Sequence, residues 1–360
     1  MNRRWVCNDV WMEIFPSFDH AQLGLKMALL SPRFDALVDK HFDCGKTEFT
    51  IWRPIEIRKD IDEMPKLFVD GKSEGFPLPD RPLPNKIRFS SYKHLQIEYI
   101  DHFVIEFLRS NQQIWDKGTS FSVAIWASYK NEDNKPIWDV FVAEIWPFFA
   151  SNIRRLAFPK ADHLGNLRRL ISPTILSDLH QLYSILSGEL FPDVLADDDD
   201  FGGPNATSAG QALAKWLHNP NKDGHQKQLY CWQLKASTHF EWVTNFKEVF
   251  VRARTSVSYT VKFSIYVSTP IEPFELVNER TKEKLTLKKK SVNGSSHHWL
   301  LKRCPIVGET VQKQQQQKKK RDRISPINFN LNGYKNCIGP LSPTEAAAKE
   351  ASKSSSEKCV

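Results

Sequence analysis

Val6-Cys-Asn-Asp-Val-Trp-Met-Glu-Ile-Phe-Pro-Ser-Phe18 sets Val10, Ile14 and Phe18 four residues apart, the spacing of one face of an α-helix. A second apolar run, Leu23, Met27 and Leu30, follows the polar stretch Asp19-His20-Ala21-Gln22. Ser31-Pro32 then supplies an N-cap with proline at the first helical position. This predicts a third helix, with Phe34, Leu37 and Val38 inward. Three short helices within residues 5–45 bury too little surface to be stable alone, so the block wants a partner.

Six prolines at 54, 65, 77, 79, 82 and 84 exclude a long helix from 46–85 and predict an extended linker. From 86 to 236 strand-like and helix-like runs alternate. Ile87-Arg88-Phe89, Phe121 to Trp126, Ile153 to Phe158 and Leu229 to Leu234 read as strands. Ile100 to Ser110, Ile137 to Phe148, Ser172 to Leu182 and Ala209 to Leu217 read as helices, with Pro147 expected to kink or end the second. The helices recur about every 36 residues, and Leu164-Gly-Asn-Leu167-Arg-Arg-Leu170 has the L-x-x-L rhythm of leucine-rich repeats. That period exceeds the family's own, so the region is only repeat-like.

Beyond about Thr238 the period becomes two. Val257, Tyr259, Val261, Phe263, Ile265 and Val267 alternate with polar residues, the pattern of a half-buried antiparallel strand. Phe274–Val277 and Leu285–Leu287 read as a hairpin and His298–Arg303 as a last strand, giving an antiparallel β-rich segment over 237–308. Gln312 to Lys320 is polar low complexity and the last 20 residues are rich in Ala, Ser, Lys and Glu, so 309–360 is expected to be a disordered basic tail. The expected class is α+β or α/β, multidomain.

Composition narrows the function. The chain has 360 residues, 41% of them apolar, with 11 Trp, 8 Tyr and 23 Phe, a load that a disordered chain does not carry. No stretch approaches the roughly 18 apolar residues of a membrane span, and Asp9 and Glu13 interrupt any signal-peptide core. Six cysteines at 7, 44, 231, 304, 337 and 359 have no paired spacing. A soluble protein of a reducing compartment, cytoplasmic or nuclear, is expected. From Glu309 onward 10 Lys/Arg face 5 Asp/Glu, so +5 of the net +8 sits on the tail. A nucleic-acid binder usually carries its basic face on the folded domain, which argues against nucleic acid here.

The chain contains none of G-x-x-x-x-G-K-[ST], G-x-G-x-x-G, H-E-x-x-H or G-x-S-x-G, and no C-x-x-C. No enzyme, metal or cofactor is therefore expected. The acidic run Asp197 to Asp200 lacks the alternating ligand spacing of calcium loops and reads as a solvated loop. Trp126, Trp216 and Trp232 fall within apolar periodic elements and read as core. Lys318, Lys319, Lys320 and Arg321 form a compact basic cluster that is either a nuclear import signal or a solvated charge run.

The N-terminal block resembles an F-box. Residues 6–18 follow that family's Leu-Pro-x-Glu-x-x-x-x-Ile-Phe-x-x-Leu opening, with Asp9 at the acidic position, Ile14-Phe15 matching directly and Phe18 in the Leu position. Leu25-Lys-Met-Ala-Leu-Leu-Ser-Pro-Arg-Phe34 is similar to the family's Leu-x-x-Val-x-x-Val-Cys-x-Arg-Trp segment, with Phe34 in place of Trp. Val6-Cys7 stands where the family has Leu-Pro, and one extra residue lies between Phe18 and Leu25. The remaining layout looks like that of the F-box families expanded in nematodes. The resemblance implies a non-catalytic adaptor that binds the Skp-type linker of a cullin–RING ubiquitin ligase and holds an unknown protein substrate for ubiquitination. It implies Val6, Val10, Ile14, Phe15, Phe18, Leu25, Met27 and Leu30 as contacts or supports of that interface. Two other readings remain: a protein-interaction scaffold outside ubiquitination, and a nuclear protein whose basic tail contacts nucleic acid.

Overall fold

The computed structural model describes residues 6–18, 22–44, 49–51, 55–59, 64–69, 75–79, 82–83, 87–89, 95–112, 120–126, 135–158, 160–193, 208–221, 225–234, 239–266, 271–293, 296–306 and 324–330, with 342 and 344. The protein is mixed α/β and divides into two compact units. One comprises Met1–Thr119, Trp126–Phe149 and Arg323–Val360; the other comprises Ser120–Ile125 and Ala150–Asp322.

The first unit opens with α1 (Asn8–Ile14), a 3-10 turn Phe15–Ser17, a π turn Leu23–Met27 running into a 3-10 turn Ala28–Leu30, and α2 (Pro32–Cys44). The expected cap at Ser31 is present. Its carbonyl accepts from the Asp35 amide at 3.0 Å and its hydroxyl from the Phe34 amide at 3.3 Å. Phe15, Leu23, Ala28, Leu37, Val38 and Phe42 form a buried cluster, with Trp11, Met12, Phe18, Met27 and Phe34 packed against it.

The Pro-rich segment is extended, as its prolines require, but it is paired rather than a free linker. Strands β1 (Phe49–Ile51), β2 (Ile55–Lys59), β3 (Pro65–Val69) and β4 (Phe76–Pro77) come from it. β1 pairs in parallel with β5 (Ile87–Phe89); β2, β3 and β4 form an antiparallel ladder, and β6 (Leu95–Ile97) runs parallel to β2. A boundary at residue 86 thus falls inside the first unit.

α3 (His102–Ser110) begins at Asp101, whose carboxylate accepts from the Val104 amide at 3.0 Å. It ends at the buried Asn111, which accepts from the Leu83 amide at 2.8 Å and donates to the Phe107 carbonyl at 2.7 Å. One side chain therefore anchors the Pro-rich segment to the helix. β15 (Ile324–Asn330) pairs in parallel with β6, which corrects the expectation that the tail from 309 is wholly disordered.

Pro147 ends nothing. α4 (Lys135–Val140) passes through a π turn, Phe141–Ile145, into α5 (Trp146–Phe149). The wider turn sits immediately ahead of the proline, where a regular helix would place the ring against the carbonyl four residues back.

In the second unit the strand order is β12-β13-β14-β11-β10-β9-β8-β7. β7 (Ser120–Trp126), β8 (Ile153–Phe158), β9 (Ser184–Ser187), β10 (Lys227–Leu234) and β11 (Tyr259–Tyr266) are parallel neighbours. β12 (Phe274–Asn278), β13 (Glu283–Asn293) and β14 (Ser296–Pro305) complete the sheet antiparallel, with β14 against β11. The parallel strands require crossovers. These contain α6 (Ala161–Leu170), α7 (Ile175–Asp178), α8 (Ala209–His218) and α9 (His239–Arg252).

Three expectations are corrected in this unit. The L-x-x-L run lies in α6, where a spacing of three puts Leu164 and Leu167 on the buried face of a helix. The helix expected from Ser172 is a single turn, α7, and the chain then turns at Leu179 and Leu182 into β9. The β-rich 237–308 segment starts with α9, a 14-residue helix that buries Trp242, Phe246, Val249 and Phe250. β11 alternates as its sequence predicts, with Tyr259, Val261, Phe263 and Ile265 buried, but it is parallel to β10 on one side and antiparallel to β14 on the other.

Candidate functional site

The eight residues singled out at the N-terminus divide into two sets. Phe15 is fully buried at the centre of the helical cluster, and Phe18 and Met27 pack against it. Val6, Val10, Ile14 and Leu30 are 41%, 44%, 36% and 60% exposed. The side chain of Leu25 lies outside the described residues, as do Lys318, Lys319, Lys320, Arg321 and the Asp197–Asp200 run.

α1 contributes no fully buried residue of its own; it sits on the cluster through Trp11 and Met12. The Trp11 ring meets the Phe34 ring edge-on at 4.9 Å. Packing Trp11 and Phe15 inward leaves Val10 and Ile14 of α1, with Val6 just ahead of the helix, facing outward. An aliphatic stripe on a small helical block is thus left in water, although aliphatic residues are usually the first to be buried.

Arg33 fixes the entry of that stripe. Its Nη2 donates to the Val6 carbonyl at 2.7 Å and to Asn8 Oδ1 at 2.7 Å, and its Nε donates to Asn8 Oδ1 at 3.0 Å. The guanidinium fork matches the two acceptors and ties the chain ahead of α1 to the first turn of α2. Sequence resemblance pointed to Arg33 but not to this partner.

A second feature, in the second unit, has no sequence signal. α8 starts at a capping box: the Gln211 amide donates to Ser208 Oγ at 3.0 Å, and Gln211 Oε1 accepts from the Ser208 amide at 3.2 Å. Its last turn carries Trp216 into a cavity of about 110 Å³ shared with the α7 turn, the Asn219–Asn221 segment and Lys227 at the start of β10. The Lys227 ammonium donates to the Trp216 carbonyl and lies 5.0 Å from the Trp216 ring centroid. Burial pushes its pKa down to about 8.

Beside this cavity, His218 is half-buried, its ring packed on those of Tyr259 and Phe246, and its Nδ1 lies 2.9 Å from the Ala214 carbonyl. Burial, reinforced by the positive charges of Arg303 and Lys227, pushes its pKa down to about 4 against the raising effect of the Ala214 bond.

Among the described residues no group of three or more His, Cys, Asp or Glu is placed to hold a metal ion, and no helix is long and apolar enough to cross a membrane. His297 and His298 are consecutive on β14, and Ser264 Oγ lies 2.7 Å from His298 Nδ1. Cys7 and Cys44 are exposed, and Cys231 and Cys304 are buried; all four are free. No family model, no curated protein and no solved structure matches the chain.

Proposed function

We propose that residues 6–44 are an F-box-like module that docks on a Skp-type adaptor of a cullin–RING ubiquitin ligase, while the rest of the chain holds a protein target for ubiquitination. Catalysis on this reading belongs to the partner enzyme, and the chain contributes proximity. The observation that carries the proposal is the outward stripe of Val6, Val10 and Ile14, on a block whose buried cluster is formed by Phe15 and its neighbours without them. A helical module needing cover only for its own core would bury that stripe; one built to dock keeps it exposed. Leu30, 60% exposed, adds a fourth candidate contact.

The test is co-purification of the full-length chain with a Skp-type adaptor, beside Ile14→Asp. A carboxylate on the stripe would be desolvated without a partner in the complex. Binding by the wild-type chain and its loss in Ile14→Asp, with unchanged circular dichroism, is the expected result. Equal binding by both proteins refutes this interface, and no binding by a folded wild-type chain refutes the adaptor role.

A further inference from the structure

The cavity at the end of α8 holds a buried cation and buried N–H donors, with no carboxylate among its described lining residues. Lys227 is 5% exposed, and its bond to the Trp216 carbonyl uses one of its three N–H groups. The Trp216 indole N–H and the Asn221 amide nitrogen are buried and have no hydrogen-bond partner among the described residues. Neither Asp nor Glu is found among the described residues lining the space. Leaving such donors unpaired is costly; Ser177, His180 and Asn219 also line the space, but no bond to either donor is present among the described residues.

The volume, about 110 Å³, is well above the roughly 10–15 Å³ that one water needs. Leu176, Leu179 and Leu182 give the same cavity an apolar wall.

We propose that this cavity is a carboxylate-binding site, in which Lys227 faces the charge, Trp216 and Asn221 donate to the oxygens, and the leucine wall takes a short aliphatic group. Lys227 with two neutral donors balances a monoanion, and His180 is the other titratable group lining the space. The carboxylate is either a free short-chain acid or the C-terminus of a polypeptide. The inference does not rest on the adaptor reading, because it uses only residues of the second unit.

Lys227 sharpens the expected behaviour. With its pKa pushed down to about 8, the amine is cationic at pH 7 and neutral well above pH 8. Affinity for a carboxylate therefore falls as pH rises through that value, and His180→Gln, which removes the other titratable group of the lining, leaves that fall in place.

The test follows the Trp216 indole N–H resonance of the full-length protein, assigned with Trp216→Phe. The titrants are butyrate, an N-acetylated Gly-Leu dipeptide acid and the corresponding dipeptide amide. A saturable shift with either acid and none with the amide is expected. A response to butyrate alone assigns a free acid as ligand, and a response to the dipeptide acid alone assigns a chain terminus.

Lys227→Met is expected to weaken binding about tenfold or more, the cost of a charge-assisted hydrogen bond. Asn221→Ala, in a partly exposed segment, is expected to weaken it several-fold with the fold intact, and decides the matter should Lys227→Met not fold. An equal response to the amide, no response to any titrant, or undiminished affinity in Asn221→Ala overturns the site.

Discussion

The helical block of residues 6–44 and the corner where β11, β13 and β14 meet distribute polarity in opposite ways. The block keeps Phe15 and its neighbours dry while leaving Val6, Val10, Ile14 and Leu30 in water. The corner buries a full ion pair. Arg303 Nη2 lies 2.7 Å and its Nε 3.1 Å from Glu283 Oε2, and both residues are buried. Nη2 also donates to the Thr255 carbonyl, while Glu283 Oε1 accepts from the Ser256 hydroxyl and the Val257 amide, each at 2.8 Å. The Phe250 ring centroid lies 5.3 Å from the guanidinium. A folding core can hold charge when every lone pair and N–H is used, whereas an exposed aliphatic stripe has no such internal account. The first arrangement serves the fold and the second is available for a partner.

The largest effect should come from breaking the corner. Arg303→Met leaves Glu283 buried without its counter-charge, a loss of roughly 3–5 kcal/mol. Urea denaturation followed by hydrogen exchange should show that loss in β11, β13 and β14, with the 6–44 amides unchanged. Adding Glu283→Leu should recover only part of the stability. The Ser256 hydroxyl and Val257 amide still lose their acceptor, a cost of about 1–3 kcal/mol for a buried donor. Full recovery in the double variant would show that the carboxylate does not organise the entry to β11.

A second effect distinguishes the two regions by pH. His218 is neutral when folded, with a pKa of about 4 against 6.5 when exposed. Between those values the unfolded chain binds the extra proton, so stability is full above about pH 6.5 and declines as pH falls toward 4. The shift corresponds to about 3 kcal/mol in the second unit. His218→Phe should flatten that part of the pH profile. A wild-type profile already flat from pH 6.5 to 4 would contradict the burial of a neutral imidazole.

What the sequence disclosed follows the range of each signal. Ser31-Pro32 marks the start of α2 because a cap acts within one turn. The alternation from Tyr259 to Ile265 marks a half-buried strand because side-chain direction depends only on the neighbour. Its two partners, one parallel and one antiparallel, depend on segments far along the chain and left no local trace. α9 was legible, since Trp242, Phe246, Val249 and Phe250 recur at four, three and one; the stronger alternation that follows overshadowed it.

The L-x-x-L run misled because a spacing of three suits a helix as well as a repeat strand. β15 carries a proline and two asparagines, and polar composition hid a pairing supplied by β6. At the N-terminus the pattern named the apolar residues but not their split, since facing in or out depends on where Trp11 and Phe34 meet. The Lys227 cavity draws on the α7 turn, the end of α8 and the start of β10, and no spacing in one segment encodes it.

The smallest effect is the most informative for the N-terminal block. Ile14 is 36% exposed and ends α1. Ile14→Asp removes little buried area and places an anion near a helix C-terminus, where the macrodipole disfavours it by about 0.3–1 kcal/mol. The thermal midpoint and the hydrogen exchange of 6–44 should therefore move only slightly. A loss several times larger would mean that Ile14 supports the block from within, as Phe15 does, and the stripe would cease to be a spare surface. A small loss together with lost adaptor binding separates docking from folding at a single side chain. That separation is the physical distinction between the two sets into which the structure divides the predicted residues.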